Sequence, residues 1–282
     1  MANPFKSKVE ITPSPSNPAL TTHLLFDTSH TEPTQSPIDQ FLERLHSINR
    51  LAPHPTNFDA LQGQLVLLGV IAAVESYLRT LFRKIVSMDA SSKEHAYKRD
   101  ISYAAAVHLD KDMLPEAILE RISFISQHSI VDTIKDILGI KGSIPTAVES
   151  AIKDYVRVCH LRHCTVHRFG RLGASNAMAL GIEQHKELLE KPLTLDYTAL
   201  QSAILICTTL VKSLNNHLFN ELVSRIPENE WVENYTSDKK KFNQYYNLFA
   251  DNISSQNASP KSKTIYDLFI KQRKSYLTGG QT

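Results

Sequence analysis

Residues 61–86 read LQGQLVLLGVIAAVESYLRTLFRKIV. Through Val74 this stretch is apolar nearly all the way round a helix, and Asn57 stands where a cap is needed, just after Pro53 and Pro55. A helix without a polar face must be covered on every side by other elements. The spacing therefore predicts a buried central helix over 61–86. Upstream, Ile38, Phe41, Leu42, Leu45 and Ile48 share one face of a helix over 37–49. Downstream, a Ser/Lys/Glu-rich break is expected near 89–96. Shorter helices follow over 98–107, 115–127 and 131–138, the last closed by Gly139 and Gly142. Thr146-Ala147-Val148-Glu149 has the form of a capping box, which predicts a helix from Ala147 to near Gly170. Residues 196–226 read as another long helix and 264–276 as a last one. Strand signals are few; residues 5–11 (FKSKVEI) alternate weakly, as a short strand would. The fold class is all-α, a helical bundle with appendages.

The chain divides by composition. Eight of its thirteen prolines fall within residues 1–60, mixed with Ser, Thr and Asn, so residues 1–35 read as an extended, partly disordered arm. Residues 36–226 carry the helical domain. Residues 227–282 form a basic, aromatic helical extension, in which Lys239–Lys241 precede Phe242, Tyr245, Tyr246 and Phe249. That segment could stack and neutralise single-stranded RNA, but an amphipathic surface helix with a basic start is the better reading.

A formal net charge of +2 over 282 residues does not mark a nucleic-acid binder by global charge, so any basic surface must be local. Three cysteines, Cys159, Cys164 and Cys207, build no disulfide framework. The N-terminus has no apolar signal region. The longest apolar run, 65–74, is half of what a membrane span needs. A soluble, cytosolic protein that does not enter the membrane is expected.

The chemistry concentrates in residues 157–173, RVCHLRHCTVHRFGRLG. No Asp or Glu occurs from Tyr155 to Ile182, while Arg157, Arg162, Arg168, Arg171, His160, His163 and His167 all lie there. Guanidinium forks bind phosphate oxygens, and imidazoles move protons near neutral pH. The bare spacing of Arg162 and His167 says little, since Arg157/His163 and Arg121/His128 match a similar pattern among twelve Arg and twelve His. Placement says more. The apolar stripe Val148, Ile152, Tyr155, Cys159, Val166 skips one position, and that position is Arg162. A guanidinium there must be paired or face a polar cavity. Glu75, at the end of the central apolar run, is the expected partner.

A buried helix ending in Glu75-Ser76-Tyr77-Leu78-Arg79, a later helix with Arg162-His163 and His167, and an immediate Arg-x-Gly exit at Arg168-Phe169-Gly170 resemble the HEPN superfamily of RNA-cleaving and RNA-associated helical domains. The resemblance covers roughly residues 57–220. It implies metal-independent RNA cleavage, without a cofactor, at a site shared between two copies of the chain. Arg162 would hold the scissile phosphate. His167 would act as general acid or base, His163 would give a supporting polar contact, and Glu75 would orient Arg162. Arg157, Arg168 and Arg171 would bind substrate. The resemblance also implies a toxin or antiviral defence role, with an antitoxin or regulatory protein as partner. Residues five apart diverge by about 140° on a helix, so Arg162 and His167 converge only if the end of the helix distorts or a second copy supplies one of them.

The same residues admit other readings. Glu75 and Arg162 could be a structural ion pair between core helices. The bundle could be a non-catalytic dimerisation or partner-binding module. His160, Cys164 and His167 share one helical face at a spacing suited to a metal, though a fourth ligand is missing.

Overall fold

A computed structural model describes residues 11–254 and 261–277. The expected strand at 5–11 lies almost wholly outside the described residues. Two compact units meet in sequence at Thr34/Gln35. The first, within its described part, holds a 3-10 turn, Thr22–Leu25, that buries nothing, and a second turn closed by His30 N–H on the Asp27 carbonyl.

The second unit is all-α. Among the described residues it holds eleven α-helices and no β-strand: α1 Pro37–Asn49, α2 Ala60–Met88, α3 Ala90–Ala96, α4 Tyr103–His108, α5 Leu114–Leu119, α6 Gln127–Asp132, α7 Thr146–Arg168, α8 Ala174–His185, α9 Tyr197–Ser224, α10 Tyr235–Phe249 and α11 Ser262–Leu277. Helix α2 is the centre, as its pattern requires. Leu67, Val70, Val74, Leu78, Leu81 and Phe82 are sealed from solvent between α1, α7 and α9. Both α2 and α9 have segments long and apolar enough to cross a membrane. The ten-residue run understates α2, whose apolar character resumes after Glu75. In this structure those segments supply the core of the bundle.

A chain of polar groups crosses this core. The Tyr77 hydroxyl donates to Asn215 Oδ1 at 3.1 Å, and Asn215 Nδ2 donates to the Phe249 carbonyl at 2.8 Å. One chain of bonds thus joins α2, α9 and the end of α10. Burial pushes the Tyr77 phenol well above its ordinary range. A second core, of Val223, Trp231, Phe242, Tyr266 and Ile270, holds α10 and α11 against the end of α9. The aromatics of α10 therefore face inward. Lys241 pairs with Glu230 at 2.6 Å, which leaves α10 an amphipathic helix with a basic start.

Several local expectations change. Asp59, not Asn57, caps α2, accepting from Gln62 N at 2.7 Å. Residues 89–96 are not a break: Asp89 caps α3 by accepting from Ser92 N, and its carboxylate also binds Arg225 of the loop after α9. The helices expected at 98–107 and 115–127 shrink to α4 and α5. Helix α6 runs on into a π-helical turn, Thr133–Ile137, and ends at Gly139, whose φ is +63°. The capping box does not form. Helix α7 starts at Thr146 behind Pro145 without a side-chain cap, and Glu149 pairs instead with Lys153 at 2.9 Å. Helix α8 had no sequence signal.

Candidate functional site

The site is built on the last three turns of α7, which runs beside α2 so that its end lies near the start of α2. Gln64 of α2 donates to the Leu193 carbonyl at 3.1 Å and lies against Gly170. Gly170 has φ +85°, and a Cβ there would meet Gln64 Oε1 at 2.9 Å, so only glycine fits. The stop comes one residue before this glycine. Phe169 itself is left-handed, with φ 51° and ψ 45°, and donates its N–H to the Cys164 carbonyl. That conformation is unusual for a bulky residue. Its ring is 81 % exposed.

The α7 stripe follows expectation through Val148, Ile152, Tyr155 and Cys159, all buried. Arg162 comes next and is half-buried. Val166, expected to continue the stripe, is 47 % exposed, because the bundle ends before the last turn of α7. Leu61 and Leu65 at the start of α2 are likewise uncovered, Leu65 at 58 %. Val166, one turn on from Arg162, is thus an uncovered apolar side chain.

Glu75 does not pair with Arg162. Its carboxylate accepts from Ser123 Oγ at 3.1 Å and from the Phe124 N–H at 3.0 Å. One turn on, Arg79 donates to the carbonyls of Leu119 and Ile122. The two residues grip the two ends of the 119–124 segment, the carboxylate on N–H and hydroxyl, the guanidinium on carbonyls. Neither the orienting role nor the ion pair with Arg162 expected of Glu75 forms; it holds segment 119–124 instead. Arg162 forms no hydrogen bond or ion pair with any described residue. Both groups lie within electrostatic range of Cys159. Its thiol is pushed up to about 12, first by burial and then by Glu75, with Arg162 acting the other way. A thiol so hard to ionise is no nucleophile.

The histidines gather on the outer face of α7. At about 100° per residue, His160, His163 and His167 lie within about 60° of each other, while Arg162 points about 140° away from His167. The His163 and His167 rings are in contact, centroids 4.5 Å apart. His163 is held below its ordinary pKa, first by burial and then by repulsion from His167, His160 and Arg162. His160 Nδ1 sits 3.1 Å from Oδ1 of Asn176 on α8, and Asn176 is 3 % exposed with no partner for its Nδ2.

The outlying arginines differ. Arg157 and Arg171 are exposed, and neither side chain is bonded to a described residue. Arg168, expected to bind substrate, is tied to Glu190, which the 186–194 turn folds back onto the end of α7. The acid-free run in sequence is thus not wholly acid-free in space. The Arg121/His128 match lines an open polar cavity of about 300 Å³, where Asp132 holds His128 at 2.9 Å and Asp136 faces Arg99. Those carboxylates oppose an anion there. The metal reading loses its geometry. Cys164 is turned into the bundle, and no group of three or more His, Cys, Asp or Glu among the described residues could hold an ion.

His160 with Asn176, and the exposed Phe169, are the features that sequence reasoning missed. Asn176 carries no local signal, since only the packing of α8 on α7 brings it to His160. Phe169 could have been suspected from a bulky residue placed directly before the helix-ending glycine. Compared with known proteins, the chain matches no family model, no curated protein and no solved structure.

Proposed function

We propose that this chain is a metal-independent endoribonuclease of the HEPN type that cleaves RNA at a site shared by two copies of itself. The observation that carries the reading is Arg162: a half-buried guanidinium with no partner among the described residues, beside a cluster of imidazoles. An arginine cannot shed its charge, and a site that keeps one unpaired is suited to an anion.

RNA supplies its own nucleophile, the ribose 2′-hydroxyl. The protein must hold the phosphate, stabilise the charge that develops on it, and move two protons. Arg162 takes the first two tasks. His167 moves a proton at the reacting oxygens, and His163, in contact with it, tunes its charge. Arg157 and Arg171 bind flanking phosphates, and the Phe169 ring offers a stacking surface for an unpaired base. Arg162 and His167 of one chain diverge, so the Arg162 that meets His167 comes from the second copy. The uncovered flank of Leu61, Leu65 and Val166 supports such pairing.

The test is cleavage of a randomised-sequence RNA pool in the presence of a chelator, with the 2′-deoxy pool as control. The expected products end in a 2′,3′-cyclic phosphate and a 5′-hydroxyl. Arg162→Ala and His167→Ala should each lower the rate by about 10²–10⁴-fold. Cleavage that survives both substitutions overturns the proposal.

A further inference from the structure

We infer that His160 is a second proton-handling residue of this site, the base that takes the 2′-hydroxyl proton, and that Asn176 positions it. The inference rests on the ribonuclease reading above and adds to it a residue outside the Arg162–His167 motif.

The pair is built rather than incidental. Asn176 enters from α8, is almost fully enclosed, and places Oδ1 3.1 Å from His160 Nδ1. A carbonyl oxygen can only accept, so Nδ1 carries the hydrogen and the free lone pair belongs to Nε2. Nε2 is then the ring nitrogen left to accept a proton. Asn176 Nδ2 is buried without a partner. Turning the amide over does not help, because it would leave Oδ1 unpartnered instead. A buried amide group left unpaired is costly, so stability alone does not explain why Asn176 is held against His160.

His160 and His167 lie on one face, two turns apart, about 10 Å along the axis. Imidazole tips at that separation can bracket a phosphodiester, with Arg162 of the partner subunit on the phosphate between them. His160 Nε2 takes the proton from the 2′-hydroxyl. The 2′-oxygen forms a bond to phosphorus, and the bond to the 5′-oxygen breaks. The departing 5′-oxygen takes a proton from His167. One proton is accepted and one donated, no water is consumed, and exchange with solvent resets the two rings.

Three measurements test this on the full chain. The first is the ¹⁵N signature of His160 in the wild-type protein. It should report Nδ1–H at neutral pH and lose that preference in Asn176→Ala, or in Asn176→Leu, which keeps the volume without an acceptor, should the alanine variant fail to fold; an Nε2–H signature overturns the positioning role. The second is cleavage of the randomised RNA pool, where His160→Asn should slow turnover at least 100-fold without changing the melting temperature. The third is subunit mixing. His160→Asn mixed with Arg162→Ala should recover cleavage, while His160→Asn mixed with His167→Ala should not, because both histidines serve the same half-site. Loss of activity in Arg162→Ala with wild-type rates in His160→Asn overturns this inference alone. A wild-type protein that leaves the pool intact overturns the ribonuclease reading, and this role with it.

Discussion

Phe169 combines two properties that stability alone would select against: a left-handed backbone and a ring left in water. Holding a non-glycine residue in that region costs on the order of 1 kcal/mol or more. Phe169→Gly should therefore leave the fold at least as stable in thermal melts. On the proposed function it should also weaken binding of single-stranded RNA by about tenfold, since a stacked base contributes about 1–3 kcal/mol. Unchanged affinity would remove Phe169 from the RNA surface. His163 makes a second prediction at this scale. Its folded-state pKa lies below the ordinary value of 6.5, so as pH falls the unfolded chain takes the proton first. Stability should then drop as pH falls below about 6.5, and level off once the folded imidazole is also protonated. His217, lowered mainly by burial, acts in the same direction. His163→Gln should flatten part of that slope in melts taken from pH 7 to pH 5, and an unchanged slope would contradict the assigned repulsion.

At the scale of elements, Glu75 and Arg79 act on their neighbours rather than on the site. Glu75→Ala leaves the buried Phe124 N–H unpaired and should cost about 1–3 kcal/mol of stability. Cleavage per folded molecule should stay within a few-fold of wild type. A loss as deep as that of Arg162→Ala, at full stability, would mean that Glu75 acts on Arg162 after all. Long helices were legible because their periodicity is long: α1, α2, α7, α9 and α11 lie within a few residues of where their apolar spacing puts them. The region from 89 to 138 was not. Its helices are short, and what sets their ends is tertiary. Asp89 caps α3 while gripping Arg225, more than a hundred residues away in sequence. The same limit applies to the site. Arg162, His163 and His167 stand out in the sequence, but Asn176 and Glu190 reach α7 only through α8 and the turn that follows it. The Glu75–Arg162 pairing failed because residues 120–124, expected to be helical, leave the helix at Leu119 and occupy the carboxylate.

At the scale of the molecule, the account depends on a second copy. The apolar flank at the start of α2 and the end of α7 is where that copy should sit. Leu65 is mostly exposed, so Leu65→Glu should leave the helical fold intact by circular dichroism. It should convert a dimer to a monomer in light scattering and abolish cleavage along with it. A monomeric wild-type protein, or a dimer untouched by this change, would place the contact elsewhere. The most direct measurement is complementation between two inactive proteins. Arg162→Ala and His167→Ala, each inactive alone, are mixed and allowed to exchange subunits before the RNA pool is added. Random exchange makes half of the dimers mixed, and each mixed dimer carries one intact site of two, so cleavage should return to about a quarter of the wild-type rate. A mixture as inactive as its components would contradict a site shared between copies.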